Sequence, residues 1–136
     1  MGFLDDLMGK KEEPARAGLA FNISTALRPV RLSARKESSL ELLVTLKNVS
    51  ENPVMTSVSV ELPKALGFEN LGLTKIKEVR IGEVPPQKEK TVSFSVCSNT
   101  QTAAGVYSVL VTVSQHYRDY QHVVNYAKKS VEVRVV

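Results

Sequence analysis

From residue 40 to residue 63 the chain alternates apolar and polar positions with a period of two. Leu40, Leu42, Val44 and Leu46 alternate with Glu41, Thr45 and Lys47. Beyond the polar run Asn48-Val49-Ser50-Glu51-Asn52-Pro53, Val58, Val60 and Leu62 alternate with Ser57, Ser59 and Glu61. Successive side chains of a strand point to opposite faces, so this pattern predicts two strands, each with one apolar face, joined by a polar turn.

The same device recurs along the chain. Leu19, Phe21 and Ile23 alternate, Pro29 interrupts, and Val30 and Leu32 resume. Proline has no N–H to give to a ladder, so this stretch is predicted to be an edge strand that breaks and changes sheets at Pro29. Gly67, Asn70 and Gly72 mark a loose connection predicted to carry Phe68 and Leu71 inward. Residues 75–84, KIKEVRIGEV, read as a strand whose parity slips between Ile76 and Val79, which predicts a bulge there. After the turn Pro85-Pro86-Gln87-Lys88, residues 90–97 set Val92, Phe94 and Val96 on one face and Cys97 on the other.

A polar loop at 99–105 leads into the longest predicted strand, with Tyr107, Val109, Val111 and Val113 on one face and Ser108, Thr112, Ser114 and His116 on the other. Residues 117–129 are predicted to turn the chain, and Val131, Val133 and Val135 alternate with Ser130, Glu132 and Arg134 in a closing strand. About seven strands, with no helical period after residue 18, predict an all-β, antiparallel, two-sheet sandwich spanning residues 19–136. Each strand has an apolar face that must meet another sheet.

Residues 1–18 follow a different pattern. Phe3, Leu4, Leu7 and Met8 fall at helical spacing, with Asp5 and Asp6 off the stripe, and Glu12-Glu13-Pro14-Ala15-Arg16-Ala17-Gly18 reads as a linker. A stripe of two turns at most is marginal in water unless it docks, so this segment is predicted to be a short helix or disordered. Its candidate contacts are the domain itself, a partner chain or a membrane surface. Myristoylation is disfavoured, because Asp6 stands where that signal needs Ser or Thr.

Composition narrows the function classes. At 136 residues with 43% hydrophobic, the chain suits one domain with a usable core. Its single cysteine, Cys97, rules out an intrachain disulfide framework. No apolar run is long enough to cross a bilayer as a helix, and the amino terminus lacks the form of a secretory signal, so a cytoplasmic location is expected, with membrane association through the stripe as the alternative. Of the net charge of +4, the first sixteen residues carry −1 and the remainder +5, with both signs interspersed. Nucleic-acid binders usually show a denser basic stripe with interleaved aromatics, so no nucleic-acid partner is expected.

Several of these residues carry a family resemblance. Gly105-Val106-Tyr107-Ser108-Val109 resembles the Gly-x-Tyr-x-apolar opening of the penultimate strand in immunoglobulin-like domains, where the tyrosine hydroxyl ties back to nearby backbone. The Asn48 turn, Ile81-Gly82-Glu83-Val84-Pro85-Pro86 and the following KTVSFSV strand together resemble the CARDB-like and fibronectin type III-like modules of bacteria and archaea. With no tryptophan and no cysteine pair, the chain departs from antibody-type domains. The resemblance implies a non-catalytic module for protein interaction or scaffolding.

Candidate chemistry is sparse. His116 and His122 bracket His-Tyr-Arg-Asp-Tyr-Gln-His, and a hairpin there would bring both toward Asp119 as a metal site. Histidines at an exposed strand end are more often simply solvated, and no third histidine or HExxH spacing supports them, so no metal or other cofactor is expected. Cys97 has no neighbouring sequence feature to activate its thiol and is predicted to be a buried or half-buried structural residue. No phosphate loop, paired-carboxylate signature or Gly-x-Ser-x-Gly elbow is present, so no enzymatic activity is expected.

The remaining candidate is the aromatic and basic cluster of residues 116–129. His116, Tyr117, Arg118, Tyr120, His122 and Tyr126 are its proposed protein-binding residues, flanked by Lys128 and Lys129. Tyrosine and arginine are enriched at interface hot spots, although tyrosines also commonly cap the end of a core. The sequence therefore predicts a protein-interaction or structural module with an unidentified protein partner. The alternative is a peripheral membrane protein tethered by Phe3, Leu4, Leu7 and Met8.

Overall fold

The computed structural model describes residues 21–69 and 72–136. The stripe Phe3, Leu4, Leu7 and Met8, the linker, Leu19, Asn70 and Leu71 lie outside the described residues. Among the described residues there is no helix, and eight strands form two sheets. The strands are β1 (Phe21–Arg28), β2 (Arg31–Leu32), β3 (Ser38–Asn48), β4 (Val54–Glu61), β5 (Ile76–Val84), β6 (Glu89–Ser98), β7 (Gly105–Tyr117) and β8 (Asp119–Val135). One sheet runs β1-β3-β6 and the other β2-β8-β7-β4-β5. All pairings are antiparallel except that of β2 with β8.

The alternating positions meet between the sheets. Leu40, Leu42, Val44 and Leu46 of β3 and Phe94 and Val96 of β6 face Val58 and Val60 of β4, Val109, Val111 and Val113 of β7, and Val131, Val133 and Val135 of β8, all buried in one core. The 40–63 stretch is not a hairpin. Its two strands lie in different sheets, and residues 49–53 carry the chain across.

The sheet change at Pro29 is observed: β1 is an edge of the small sheet and β2 joins the large one. Leu32 is buried as expected, whereas Val30, of the same parity, is exposed because the break at Pro29 interrupts the alternation. Phe68 is half-buried against the core, its ring 6.4 Å from that of Phe94.

Two sequence expectations are corrected. The bulge of β5 is not between Ile76 and Val79, where pairing with β4 is regular. It lies where the partner jumps from Gly82, opposite Thr56, to Arg80, opposite Ser57, leaving Ile81 unpaired. Gly82 has φ +87°, a left-handed conformation that an L side chain resists, whereas Ile76 simply faces solvent.

The second correction concerns residues 117–129, which do not form a connection. β7 and β8 make one long hairpin whose turn is Tyr117-Arg118-Asp119, with Arg118 at φ 74°. Regular pairing runs from Gly105↔Val135 to Gln115↔Asn125, after which the partner of His116 is Val123 and that of Tyr117 is Asp119. Val123 and Val124 are neighbours in a strand, where one would ordinarily face a core, yet both are exposed. Without a core face, this half of β8 has no reason to alternate, so its sequence does not read as a strand.

Candidate functional site

The distal half of the β7–β8 hairpin gathers the predicted residues, but it uses them in different ways. His116 is buried at 7% exposure rather than solvated. It shares the parity of Met55 and Ser57 in the register with β4, on the sheet face turned away from the core. Its Nε2 is hydrogen-bonded to Ser57 Oγ at 2.7 Å, and its Nδ1 is buried without a hydrogen-bond partner among the described residues.

Tyr120 closes over this pair. Its ring meets the His116 ring edge-on at 5.0 Å between centroids, and the Arg80 guanidinium of β5 lies 4.8 Å from the Tyr120 ring centre. A cation over an aromatic face and an edge-to-face ring pair are each favourable, so Tyr120 is held from both sides. Ser57 lies on the outward parity of β4 and is nevertheless buried. Burial is the main influence on His116 and depresses its pKa below the ordinary 6.5, reinforced by Arg80 and opposed by Glu78, the Tyr120 backbone and Asp119.

The other residues face water. Tyr117 is exposed, with the Arg118 guanidinium 5.2 Å from its ring centre, and Tyr126 is exposed with Lys128 Nζ at 5.8 Å. Asp119 Oδ1 accepts hydrogen bonds from the Gln121 N–H and from His122 Nδ1, both at 2.9 Å. These bonds, the backbone one foremost, lower the Asp119 pKa. The His122–Asp119 pair is exposed and contributes little stability.

The geometry thus joins His116 to Tyr120 and Arg118 to Tyr117, and it separates the two histidines: His116 turns to Ser57 and His122 to Asp119. Among the described residues no group of three His, Cys, Asp or Glu side chains is placed to hold a metal. Sequence reasoning missed Ser57, Arg80, Val123 and Val124. Ser57 and Arg80 lie on other strands and reach the tip only through the β4–β7 and β4–β5 registers. The adjacent valines were a legible signal, because two neighbouring strand residues cannot share one core face.

Two features outside the tip complete the picture. Tyr107 Oη donates to the Ala103 carbonyl at 2.7 Å, the tie-back implied by the resemblance. Cys97 is buried, burial first and Glu69 second pushing its thiol pKa up, which disfavours the thiolate.

Comparison with solved structures bears on the fold. Native α2-macroglobulin from Escherichia coli, in a crystal structure spanning MG7 to the C-terminus, matches 86% of this chain at TM-score 0.59 and 18% identity. The same protein in its native conformation by cryo-electron microscopy matches 84% at TM-score 0.56 and 18% identity. The chain has an immunoglobulin-like β-sandwich fold. It spans 17% and 6% of the lengths of those two chains, and at such identity the likeness is one of fold alone. A CARDB domain from Pyrococcus furiosus, solved with two metal ions, also matches, at 21% identity over 85% of this chain and 94% of that one. Its TM-score is 0.49, so the fold assignment rests on the macroglobulin structures. No protein-family model and no curated protein matches the sequence.

Proposed function

We propose that this module is non-enzymatic, that it serves protein interaction or scaffolding, and that the distal half of the β7–β8 hairpin is its docking surface. The observation that carries the reading is a concentration of exposed apolar side chains. Of the ten large apolar residues exposed among the described residues, four, Tyr117, Val123, Val124 and Tyr126, fall within ten positions of one hairpin end. Arg118 and Lys128 lie beside two of the rings, giving the mixture of aromatic and cationic groups typical of interface hot spots.

The non-enzymatic part draws support from what the reactive side chains do. A serine beside a histidine is the arrangement of an activated nucleophile, but Ser57 is buried at 3% exposure, beneath a histidine that is itself buried. Cys97 is buried with its thiol held protonated.

A photo-crosslinking amino acid at position 117, compared with the same group at exposed Glu41 on the other sheet, tests the docking surface in cells. The expected result is a discrete adduct from position 117, absent from position 41 and abolished by Val123→Ser with Val124→Ser. Equal labelling from both positions, or none from 117, would overturn the reading.

A further inference from the structure

We infer that His116 is a proton-operated clasp: in its buried form it holds the β7–β8 tip against the five-stranded sheet, and acid releases the tip. This deepens the docking reading, on which its functional meaning rests, by naming what regulates that surface. The clasp ties together side chains from every strand that packs around it. Ser57 comes from β4, Arg80 from β5 and Tyr120 from β8, while Glu78 of β5 and Asp119 of β8 lie within electrostatic reach of the imidazole. Beyond Gln115 the hairpin ladder is irregular, so these side-chain contacts take over where regular backbone pairing ends.

A neutral imidazole has one donor and one acceptor nitrogen, and the Ser57 hydroxyl can satisfy Nε2 in either role. Protonation makes both nitrogens donors. Nδ1 is buried and makes no hydrogen bond of good geometry among the described residues, and the Tyr120 backbone is only a weak acceptor for the ring, so the second N–H and its charge would be poorly satisfied. Arg80 adds repulsion, while Glu78, Asp119 and the Tyr120 backbone favour the charge without overcoming burial. Asp119 already accepts bonds from His122 and Gln121, which limits what it offers His116.

The sign follows from linkage. A histidine whose pKa is depressed in the closed form stabilises that form fully above its exposed value, near 6.5. That stability is lost as pH falls from there through the lower closed-form value, because the open tip takes up the proton first.

The test is a pH titration of the full chain, following the two imidazoles by NMR together with amide-exchange protection factors. His116 is expected to titrate below 6.5. Protection at residues 117–123 should fall on going from about pH 7.5 to about pH 5.5, about tenfold for each unit between the open and closed values, while residues 105–113 hold. In His116→Gln the tip's protection should not respond to pH. A His116 titration at or above 6.5, tip protection constant across this range, or an unchanged response in His116→Gln would overturn the clasp. Should His116→Gln fail to fold, Tyr120→Ala supplies the same decision: uncovering the ring should move the His116 titration up toward 6.5, and an unmoved titration counts against the inference. No partner enters these measurements, so failure of the clasp leaves the crosslinking result standing, and failure of the crosslinking leaves the clasp standing.

Discussion

The 48–53 connection and the β7–β8 tip sit at the same end of the sandwich, and each buries one polar side chain, with opposite results. Asn48 is fully buried and every polar atom of its side chain is used. Nδ2 donates to the Asn52 and Val84 carbonyls at 2.8 and 2.9 Å, and Oδ1 accepts from the Ser50 N–H and hydroxyl at 2.8 and 2.7 Å. It thereby pins the chain where it crosses between sheets. His116 has one nitrogen well bonded, whereas the other is buried and makes no hydrogen bond of good geometry among the described residues. A satisfied buried amide has no titratable state and fixes a connection, whereas a half-satisfied imidazole leaves a conformation that a proton can undo.

Mutation at the two places should separate these roles. Asn48→Ala strands the Val84 carbonyl and the Ser50 N–H and should cost on the order of 3 kcal/mol in urea unfolding. A cost under about 1 kcal/mol would mean that water replaces the pin without loss. Tyr120→Ala removes the ring pair with His116 and the stacking with Arg80, with an expected loss of about 1–2 kcal/mol, and the loss should shrink when Arg80 is already alanine. Additive losses would show that Arg80 and Tyr120 do not support each other. At the opposite end of β7, Tyr107→Phe should cost about 1 kcal/mol by losing its bond to the Ala103 carbonyl, and no change in unfolding free energy would remove the corner role. The smallest effect belongs to Tyr117→Ala with Arg118→Gly, within about 0.5 kcal/mol, since both side chains are exposed and glycine suits the φ of 74°. A loss of several kcal/mol there would make Tyr117 part of the packing instead of a docking residue.

These expectations divide a group of residues that the sequence presents as one. Tyr117, Arg118 and Tyr120 read alike as exposed aromatic and basic positions, but Tyr120 is half-buried over His116. The distinction depends on Arg80 and Ser57, which are 40 and 63 positions away in sequence from Tyr120 and are brought under it by two strand registers.

The period of two in Leu40–Leu46, Val58–Leu62, Val92–Val96, Val109–Val113 and Val131–Val135 determined by itself that the chain is a sandwich and which faces meet, because a strand with one apolar face has few other places to put it. Pro29 was enough to mark the change of sheet, since a missing N–H acts locally, and the Gly-x-Tyr opening at 105–107 was enough to suggest the tie-back. Only the tertiary structure decided that β3 and β4 lie in different sheets, that the bulge falls at Ile81 and Gly82, and that β8 begins at Asp119. Each of these depends on which strand lies alongside, a long-range choice that leaves no period in the sequence. The burial of His116 is of the same kind: its parity places it with Ser114 on the outward face, and it is buried because Tyr120 and Ser57 meet it there.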